Sequence, residues 1–509
     1  MLKIKNFITN HFNIFAFLVF AVIVFFLYGR SLSFDYTYYD DDVLILDKQD
    51  YLSFSNIKNI LSNTVFGSGK DKFCRPVLNL TFLCEKYLYG IKPFGYHLTN
   101  IVVHLFAVFS IFLFLTLRYD KNKTLILCLL FACHPAMVQA VAWISGRNDS
   151  LLTLFIVLSC YFFVKNLDKN KYSFFFLHLL FFVLSLFTKE TAIVVPLFYC
   201  LLLWFKKQNI KKVCTCIIIW ILIILLYLLY RYFVLSYQVY SLSYKELFVN
   251  FFVSLPALTK YIANIFLPVK LSIFPTMLEV NYLLSIASVL IIFLFFLRFR
   301  NCNLKVVLFG ICWFLSFLLP TFLMLNNQFY DHRIYLPLVG ILILVSEFLK
   351  EYINTKKIFY CCFIVFMLFS GITLFYEQKF QNKEHFWVNA LTSSPESDIA
   401  NAMVAGMLLE REMYEEAEQK YLKAISLHPR SKHYVNLSVL YLKTGRIDEG
   451  EQALLKSLEL SNDNPTAYYN LALVYKHKKE FDKAQEMKNW YIKTFNDTNK
   501  VSKIEDIKL

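Results

Sequence analysis

The sequence predicts an α-helical membrane protein that crosses the bilayer many times and ends in an all-α repeat domain. Two observations lead to this prediction. Of 509 residues, 58% are hydrophobic, and the apolar residues are gathered in runs long enough to span a membrane. From about residue 398 the chain instead becomes polar and repeats at a period of 33 or 34 residues.

Eleven apolar runs are predicted to cross the membrane once each. They are 13–28, 97–117, 124–144, 150–164, 173–188, 191–205, 213–230, 281–297, 306–325, 334–349 and 358–376. Lys3 and Lys5 precede the first run, and no small-residue cleavage site follows it. We therefore interpret the first run as an uncleaved anchor.

The orientation follows from the positions of the basic residues. With the N-terminus in the cytoplasm, the inward loops hold Arg118, Lys121, Lys123, Lys165, Lys169, Lys171, Lys206, Lys207, Lys211, Lys212, Arg298, Arg300, Lys305, Lys350, Lys356 and Lys357. Cytoplasmic loops of membrane proteins are enriched in Lys and Arg. The formal charge of +15 is thus explained without a nucleic-acid partner. We expect a multi-pass protein of the cell (inner) membrane, with loop 29–96 and everything after about residue 377 on the non-cytoplasmic side.

Segment 247–267 is apolar but is interrupted by Pro256 and Lys260. If this segment spanned the membrane, later basic loops would lie outside. It is therefore interpreted as a re-entrant or interfacial helix on the outer face.

The polar tail consists of about three helix pairs. The second helices begin at Ala417, Gly450 and Ala484, and small residues recur at fixed positions in the first helices. This is the tetratricopeptide pattern, with Leu437, Tyr441, Gly445, Leu471, Ala472 and Tyr475 at its characteristic positions. The predicted domains are a membrane domain over 1–376, a linker over 377–397 and repeats over 398–498. Such an array binds a peptide or a partner protein, or else is a structural cap without a ligand.

Ionisable residues near a bilayer are costly, so their positions are informative. Five polar groups fall on the predicted outer side. Their principal members are Asp40, Asp41 and Asp42; Arg75, His97 and Asn100; Arg147; Lys189 and Glu190; and His332 and Arg333. The cations Arg147, Lys189 and Arg333 run against the charge bias of outer loops. A phosphate bound at the membrane surface would satisfy all three.

Several of these motifs, taken in order, resemble one family. They are "YDDDVLILD", "RPVLNLTF", "GYHLTNIVVHL", "HPAMVQAVAWISGRNDSL", "FTKET" and "DHRIYLPLVG". The sequence resembles the transmembrane and tetratricopeptide repeat-containing O-mannosyltransferases and their bacterial relatives, within the GT-C fold class. The resemblance implies an inverting glycosyltransferase that uses a polyprenyl-phosphate sugar as its donor substrate and an acceptor on the non-cytoplasmic side, with protein O-glycosylation as the expected reaction.

The resemblance also implies residue roles. Asp41 is the expected base and Asp40 assists it, although this chain has three aspartates where the family shows a pair. Arg147, Lys189, His332 and Arg333 are the expected donor-phosphate contacts. Glu190 is expected to orient Lys189, with Arg75, His97, Asn100 and Asp42 in support. No metal-ligand spacing in the sequence is decisive. A divalent cation that bridges the aspartates and a phosphate stays open, because some GT-C enzymes use one and others do not.

Three other functions compete with this one. In the first, the enzyme transfers the sugar to a glycolipid or surface polysaccharide. In the second, the protein is a non-catalytic scaffold that recruits partners through its repeats. A transporter is disfavoured because the polar residues gather at the outer face instead of the bilayer midplane. The sequence leaves open the sugar, the lipid length, the acceptor and the oligomeric state.

Overall fold

The computed structural model describes residues 11–66, 73–235, 244–275, 283–290, 302–323, 329–350 and 356–494. These residues form helices and connecting loops without a strand. They divide into two compact units, Met1–Phe386 and Trp387–Leu509. The all-α fold predicted from the sequence is confirmed.

The helices of the first unit, labelled in chain order, are α1 Phe12–Tyr28, α2 Ile57–Ser62, α3 Pro76–Tyr89, α4 Pro93–Leu115, α5 Lys121–Ala132, α6 Val138–Ala142, α7 Arg147–Lys169, α8 Tyr172–Leu186, α9 Val195–Phe205, α10 Ile210–Val234, α11 Tyr244–Ser254, α12 Pro256–Phe266, α13 Leu304–Phe322, α14 Tyr335–Leu349 and α15 Lys356–Glu377. A further helical stretch covers 283–290. Helix α16, Lys383–Ser393, continues into the second unit. Short 3₁₀ turns occur at Gly29–Ser33, Phe54–Asn56, Pro135–Met137, Ile144–Gly146, Glu190–Val194, Asp331–Ile334 and Gln378–Phe380, and one π-helical turn occurs at Asp42–Leu46.

Seven helices in the described part of the chain are long and apolar enough to cross a membrane, or up to nine if each bent pair is one span. The protein is thus a multi-pass membrane protein, but the predicted count of about 11 is not confirmed. The helix Tyr172–Leu186 has 15 residues and is short for a span, and the run 124–144 is broken by a 56° bend. The run 281–297 lies mostly outside the described residues.

Segment 247–267 forms two helices, α11 and α12, which meet at Pro256 with a bend of 43°. A proline at this position removes one backbone donor and favours a break. The observed bend fits either a broken span or the predicted re-entrant loop.

Helices α4, α7 and α14 form the interior of the first unit. Between 61% and 72% of the apolar window of each corresponding span is buried. Helix α14 also packs closely on α13, since a Cβ added at Gly340 would lie 2.5 Å from the carbonyl oxygen of Gly310. Small residues at such contacts allow membrane helices to approach. These helices are therefore a tightly packed frame for the loops at their ends.

The second unit contains three helical hairpins. They comprise α17 Asp398–Glu410 with α18 Tyr414–Leu427, α19 Ser431–Lys443 with α20 Ile447–Leu460, and α21 Pro465–His477 with α22 Phe481–Thr494. Leu437, Leu471 and Ala472 are buried, as the repeat pattern predicts. Gly445 adopts φ +76°, a left-handed conformation that suits glycine at the end of a helix.

Candidate active site

One cavity of about 200 Å³ is lined by five of the polar residues singled out from the sequence, Asp40, Arg75, Lys189, His332 and Arg333. It lies where the N-terminal ends of α7 and α14 meet the loop that follows α1. Its acidic and basic lining residues are Asp40, Arg75, Asp149, Lys189, His332 and Arg333. Three permanent cations therefore face two carboxylates across a small volume, and this composition suits an anionic ligand.

The aspartate triplet separates into three environments. Asp40 lines the cavity and has φ 63°, a left-handed conformation that Asp tolerates better than most residues. Asp41 is fully buried and is not among the lining residues. Asp42 begins the π-helical turn and is partly exposed. The left-handed backbone at Asp40 thus directs adjacent carboxylates to different places.

Asp41 is held by three hydrogen bonds. Its Oδ2 accepts from the backbone N–H of Thr37 at 2.9 Å and from the Thr37 hydroxyl at 2.6 Å, while its Oδ1 accepts from the Ser145 hydroxyl at 2.8 Å. Burial raises the pKa of the Asp41 carboxyl to about 6, although these hydrogen bonds oppose the increase. This carboxyl connects the first loop to the start of α7 and has no access to the cavity.

Tyr39 fixes the same loop to two other segments. Its carbonyl oxygen accepts a hydrogen bond from Trp143 Nε1 at 3.0 Å, and its ring stacks on Trp143 at 5.4 Å between centroids. The Tyr39 and Tyr330 hydroxyls lie 2.8 Å apart. Because Trp143 and Tyr330 also line the cavity, this aromatic contact brings the loops after α1, before α7 and before α14 to one point.

Lys189 and Asp149 form an ion pair of 2.7 Å at the cavity wall. Asp149 lies in the first turn of α7, where the helix dipole favours a negative charge. His332 Nε2 approaches the other oxygen of Asp149 at 3.8 Å. His332 Nδ1 is buried without a hydrogen-bond partner among the described atoms.

Glu190 pairs with Arg75, at 3.3 Å between Oε2 and Nη2, and accepts from the Cys74 backbone N–H at 3.2 Å. The sequence-based prediction was that Glu190 orients Lys189. The structure instead pairs Lys189 with Asp149, so the two adjacent residues take different partners. Arg333 completes the cationic wall, with its guanidinium 5.2 Å from the centre of the Tyr330 ring.

Arg147 does not reach the cavity. Its fully buried guanidinium pairs with Glu85 at 2.5 Å and donates to the Tyr96 carbonyl oxygen at 2.9 Å. It also lies over the Phe82 ring. The predicted contact of Arg147 with a donor phosphate is therefore not supported by its position, because its side chain points back towards α3 and α4.

His97 and Asn100, both on α4, are buried and do not line the cavity. The Asn100 amide nitrogen donates to the carbonyl oxygens of Val141 and Trp143 at 3.0 Å each. His97 contacts the edge of the Phe34 ring. Asn100 therefore supports the loop before α7 from behind.

Sequence reasoning assigned no role to Tyr39, Ser145, Asp149 or Glu85. Asp149 had a usable signal, since it lies two residues after Arg147 within "SGRND", next to a predicted span. The partnership of Ser145 with Asp41 had none, because 104 residues separate them.

The cavity is not arranged as a metal site. Across the described ranges, no group of three or more His, Cys, Asp or Glu residues could hold a metal ion. The two lining carboxylates are Asp40 and Asp149, and the second of these is neutralised by Lys189.

Comparison with known proteins shows which families the two parts of the chain resemble. Residues 85–237 match the family model described as dolichyl-phosphate-mannose-protein mannosyltransferase, and residues 432–464 and 453–486 match tetratricopeptide repeat models. The chain joins a mannosyltransferase-type segment to tetratricopeptide repeats. Lys189 and Asp149 lie within the mannosyltransferase-type segment, whereas Asp40, His332 and Arg333 lie outside the matched residues.

Individual relatives show the same similarity. The chain is 35% identical over 157 residues to Protein O-mannosyl-transferase TMTC2 of Mus musculus, covering 29% of this chain and 18% of that protein. It is 30% identical over 203 residues to Protein O-mannosyl-transferase Tmtc1 of Drosophila melanogaster, covering 38% and 24%. The chain thus spans less than a quarter of the length of these curated relatives.

Proposed function

We propose that the protein is an inverting glycosyltransferase that moves a sugar from a polyprenyl-phosphate donor to a protein hydroxyl, in an O-mannosyltransferase-like reaction. One observation carries the proposal. A carboxylate, Asp40, shares a small cavity with Arg75, Lys189 and Arg333. A displacement at a sugar carbon needs a base for the acceptor and positive charge for the phosphate that leaves.

In the proposed reaction the Asp40 carboxylate accepts the proton of the acceptor hydroxyl. The hydroxyl oxygen forms a bond to the anomeric carbon while the bond from that carbon to the phosphate oxygen breaks. The lipid phosphate leaves with the bonding electron pair, and Lys189, Arg333 and Arg75 stabilise its charge. Because one displacement occurs, the anomeric configuration inverts.

This proposal exchanges the roles expected for Asp40 and Asp41. Asp40 lines the cavity, whereas Asp41 is buried and occupied by Thr37 and Ser145. Asp41 is therefore proposed as a positioning residue. It holds the loop so that its neighbour faces the donor, since small displacements of a catalytic group reduce rates strongly.

We also propose an orientation in the cell (inner) membrane. Because the basic loops are expected to face the cytoplasm, the N-terminus is placed there and the cavity and the repeats are placed on the opposite side. The repeats are proposed to hold the acceptor protein. The relatives are named protein O-mannosyl-transferases, and this favours a protein acceptor over a glycolipid.

A divalent cation is kept out of the proposed step because the lining carboxylates do not fit one. The assay described next should therefore proceed in the presence of a chelator. Loss of transfer that added magnesium or manganese restores would show that a metal ion is required.

The test uses the purified full chain with polyprenyl-phosphate sugars labelled in the sugar and with membrane extracts as acceptor. We expect label to enter protein, with the mannosyl donor preferred. Asp40→Asn should reduce transfer by about 100-fold or more, the usual contribution of a general base. Lys189→Met should raise the donor KM and lower kcat.

Asp42→Asn is the matched control, since it removes a neighbouring carboxylate that does not line the cavity, and it should retain near wild-type transfer. Label that enters lipid instead of protein would support the glycolipid acceptor. Equal turnover by wild type and Asp40→Asn would exclude Asp40 as the base, and no turnover of any donor would favour the scaffold.

A further inference from the structure

Two further cavities lie at the ends of helices α4, α7 and α14 that are opposite the candidate active site. Helix α4 contributes Asn100 near the candidate active site, and Leu115 at its other end lines a different cavity. The 23 residues of α4 give it a length of roughly 34 Å. Helices α7 and α14 likewise contribute residues to both ends, so the new cavities are separate from the catalytic one.

The first of these cavities is polar and measures about 360 Å³. Its cationic lining residues are Arg118, Lys123 and Lys350. Arg118 and Lys350 share one carboxylate, Glu347, at 3.2 and 2.7 Å. Glu347 is fully buried and also accepts from the Tyr119 hydroxyl at 2.9 Å.

Among the lining residues that the structure describes, this polar cavity has three cations and two carboxylates, so one positive charge is in excess. Its other carboxylate, Asp120, accepts hydrogen bonds from the backbone N–H groups of Asn122 and Lys123 at the start of α5. The Lys123 ammonium donates to the Lys350 carbonyl oxygen, which is not a charged acceptor. A lysine ammonium has three protons to donate. The polar cavity therefore carries an excess of positive charge with donor capacity.

A buried hydroxyl points to the same conclusion. Ser346 also lines the polar cavity and is 4% exposed, yet its Oγ has no hydrogen-bond partner among the described atoms. Buried polar atoms are normally satisfied. An acceptor oxygen in the cavity would satisfy it.

The second cavity is mostly apolar and measures about 420 Å³. It is lined by aliphatic and aromatic side chains such as Val164, Leu202 and Phe309. Arg118 and Tyr119 line both cavities, so the apolar cavity adjoins the polar one. Both volumes fall within the range of small-molecule sites.

We propose that these adjoining cavities bind one anionic membrane phospholipid, with its phosphate headgroup in the polar cavity and one chain in the apolar cavity. An amphiphile matches the polar and apolar halves, and an anion matches the excess charge. Basic pockets between transmembrane helices are known to bind anionic headgroups. The proposal does not depend on the transfer reaction.

The test titrates the purified full chain in neutral detergent with phosphatidylglycerol, phosphatidylcholine or glycerol phosphate, and follows the thermal midpoint. A ligand that binds only the folded state raises this midpoint. We expect phosphatidylglycerol to raise it, with little effect from phosphatidylcholine or from glycerol phosphate. Lys123→Gln should weaken the apparent affinity about fivefold, the usual effect of one headgroup cation.

Leu202→Trp fills the apolar cavity and should abolish the response to phosphatidylglycerol. The thermal midpoint of the Leu202→Trp variant without lipid shows whether it is folded. If that variant is destabilised, Leu117→Trp fills the same cavity in its place. Lys169→Gln is the matched control. Lys169 is an exposed lysine at the end of α7 nearest these two cavities, and it lines neither of them. The proposal is overturned if phosphatidylcholine or glycerol phosphate gives an equal shift, or if Lys169→Gln weakens binding as much as Lys123→Gln.

Discussion

In the membrane unit, the side chains of the Arg147–Glu85 pair are 0% and 4% exposed, whereas those of the Lys456–Glu459 pair in the repeat unit are 53% and 64% exposed. The first pair joins two helices far apart in sequence, while the second joins neighbouring turns of one helix. Buried charges depend on their partners for solvation, but exposed charges have water. A basic residue paired with a glutamate is therefore a structural link in one unit and a solvated surface pair in the other.

The largest effect should come from Glu85→Gln. Arginine cannot lose its proton, so this change leaves the Arg147 charge buried without its counter-ion. We expect a loss of about 3–5 kcal/mol in the stability of the membrane unit. Hydrogen exchange measured by mass spectrometry on peptides from α3 and α7 should report it.

The double variant Glu85→Gln with Arg147→Met is the control for this prediction. Removing both charges should restore much of the lost protection, because no unpaired charge remains. Equal protection in wild type and Glu85→Gln would show that the pair is not a structural link.

The next effect concerns Asp41, a buried carboxyl without a cationic partner among the groups that hydrogen-bond to it. Burial raises its pKa from 3.8 to about 6. A carboxyl whose pKa is higher in the folded state stabilises the fold at pH values below its unfolded-state pKa. This contribution is lost as the pH rises through about 6. The membrane unit should lose about 2 kcal/mol between pH 4 and pH 7 from this group. Asp41→Asn should flatten this part of the profile, and an unchanged slope would contradict the prediction.

Asp398 in the repeat unit should show the opposite slope. It accepts from Arg430 Nε at 2.5 Å and from His433 Nε2 at 3.1 Å. Burial opposes ionisation, but these two partners lower the pKa of Asp398 overall. A carboxyl whose pKa is lower in the folded state stabilises the fold at pH values above its unfolded-state pKa. This contribution is lost as the pH falls. Asp398→Asn should cost the repeat unit about 1–2 kcal/mol at pH 7, measured by exchange in α17 and α19. A smaller protection factor in wild-type α17 at pH 7 than at pH 4, after correction for the intrinsic pH dependence of amide exchange, would contradict it.

The smallest effect should come from Lys456→Gln. Both members of this pair are solvated, so its loss should leave exchange in α20 unchanged within error. A clear loss of protection would break the contrast between the two units.

The sequence was sufficient to predict the fold class and much of the candidate site. Hydrophobic runs and the repeat period predict helices directly, because each depends on residues close in the chain. Lys189 and Arg333 could also be selected, since cations on an outer surface are unusual. Arg75 and His332 were assigned through the family resemblance.

The remainder depends on contacts between distant segments. The choice between Asp40 and Asp41 follows from a left-handed backbone at Asp40 and from the hydroxyl of Ser145. Arg147 looked like a phosphate ligand because Glu85, its partner, is 62 residues away. The span count also could not be read from hydropathy alone, because a bent pair and a short helix have the same composition as a full span.

Helix α14 carries lining residues of three cavities, with Leu336 near one end and Ile343 and Ser346 nearer the other. Each residue of an α-helix turns it by about 100°. One inserted residue between these positions would therefore rotate one lining surface away while leaving the other in place. Insertions and deletions should be tolerated in the connecting loops and rejected inside this helix, so its length is constrained even where its individual side chains are not.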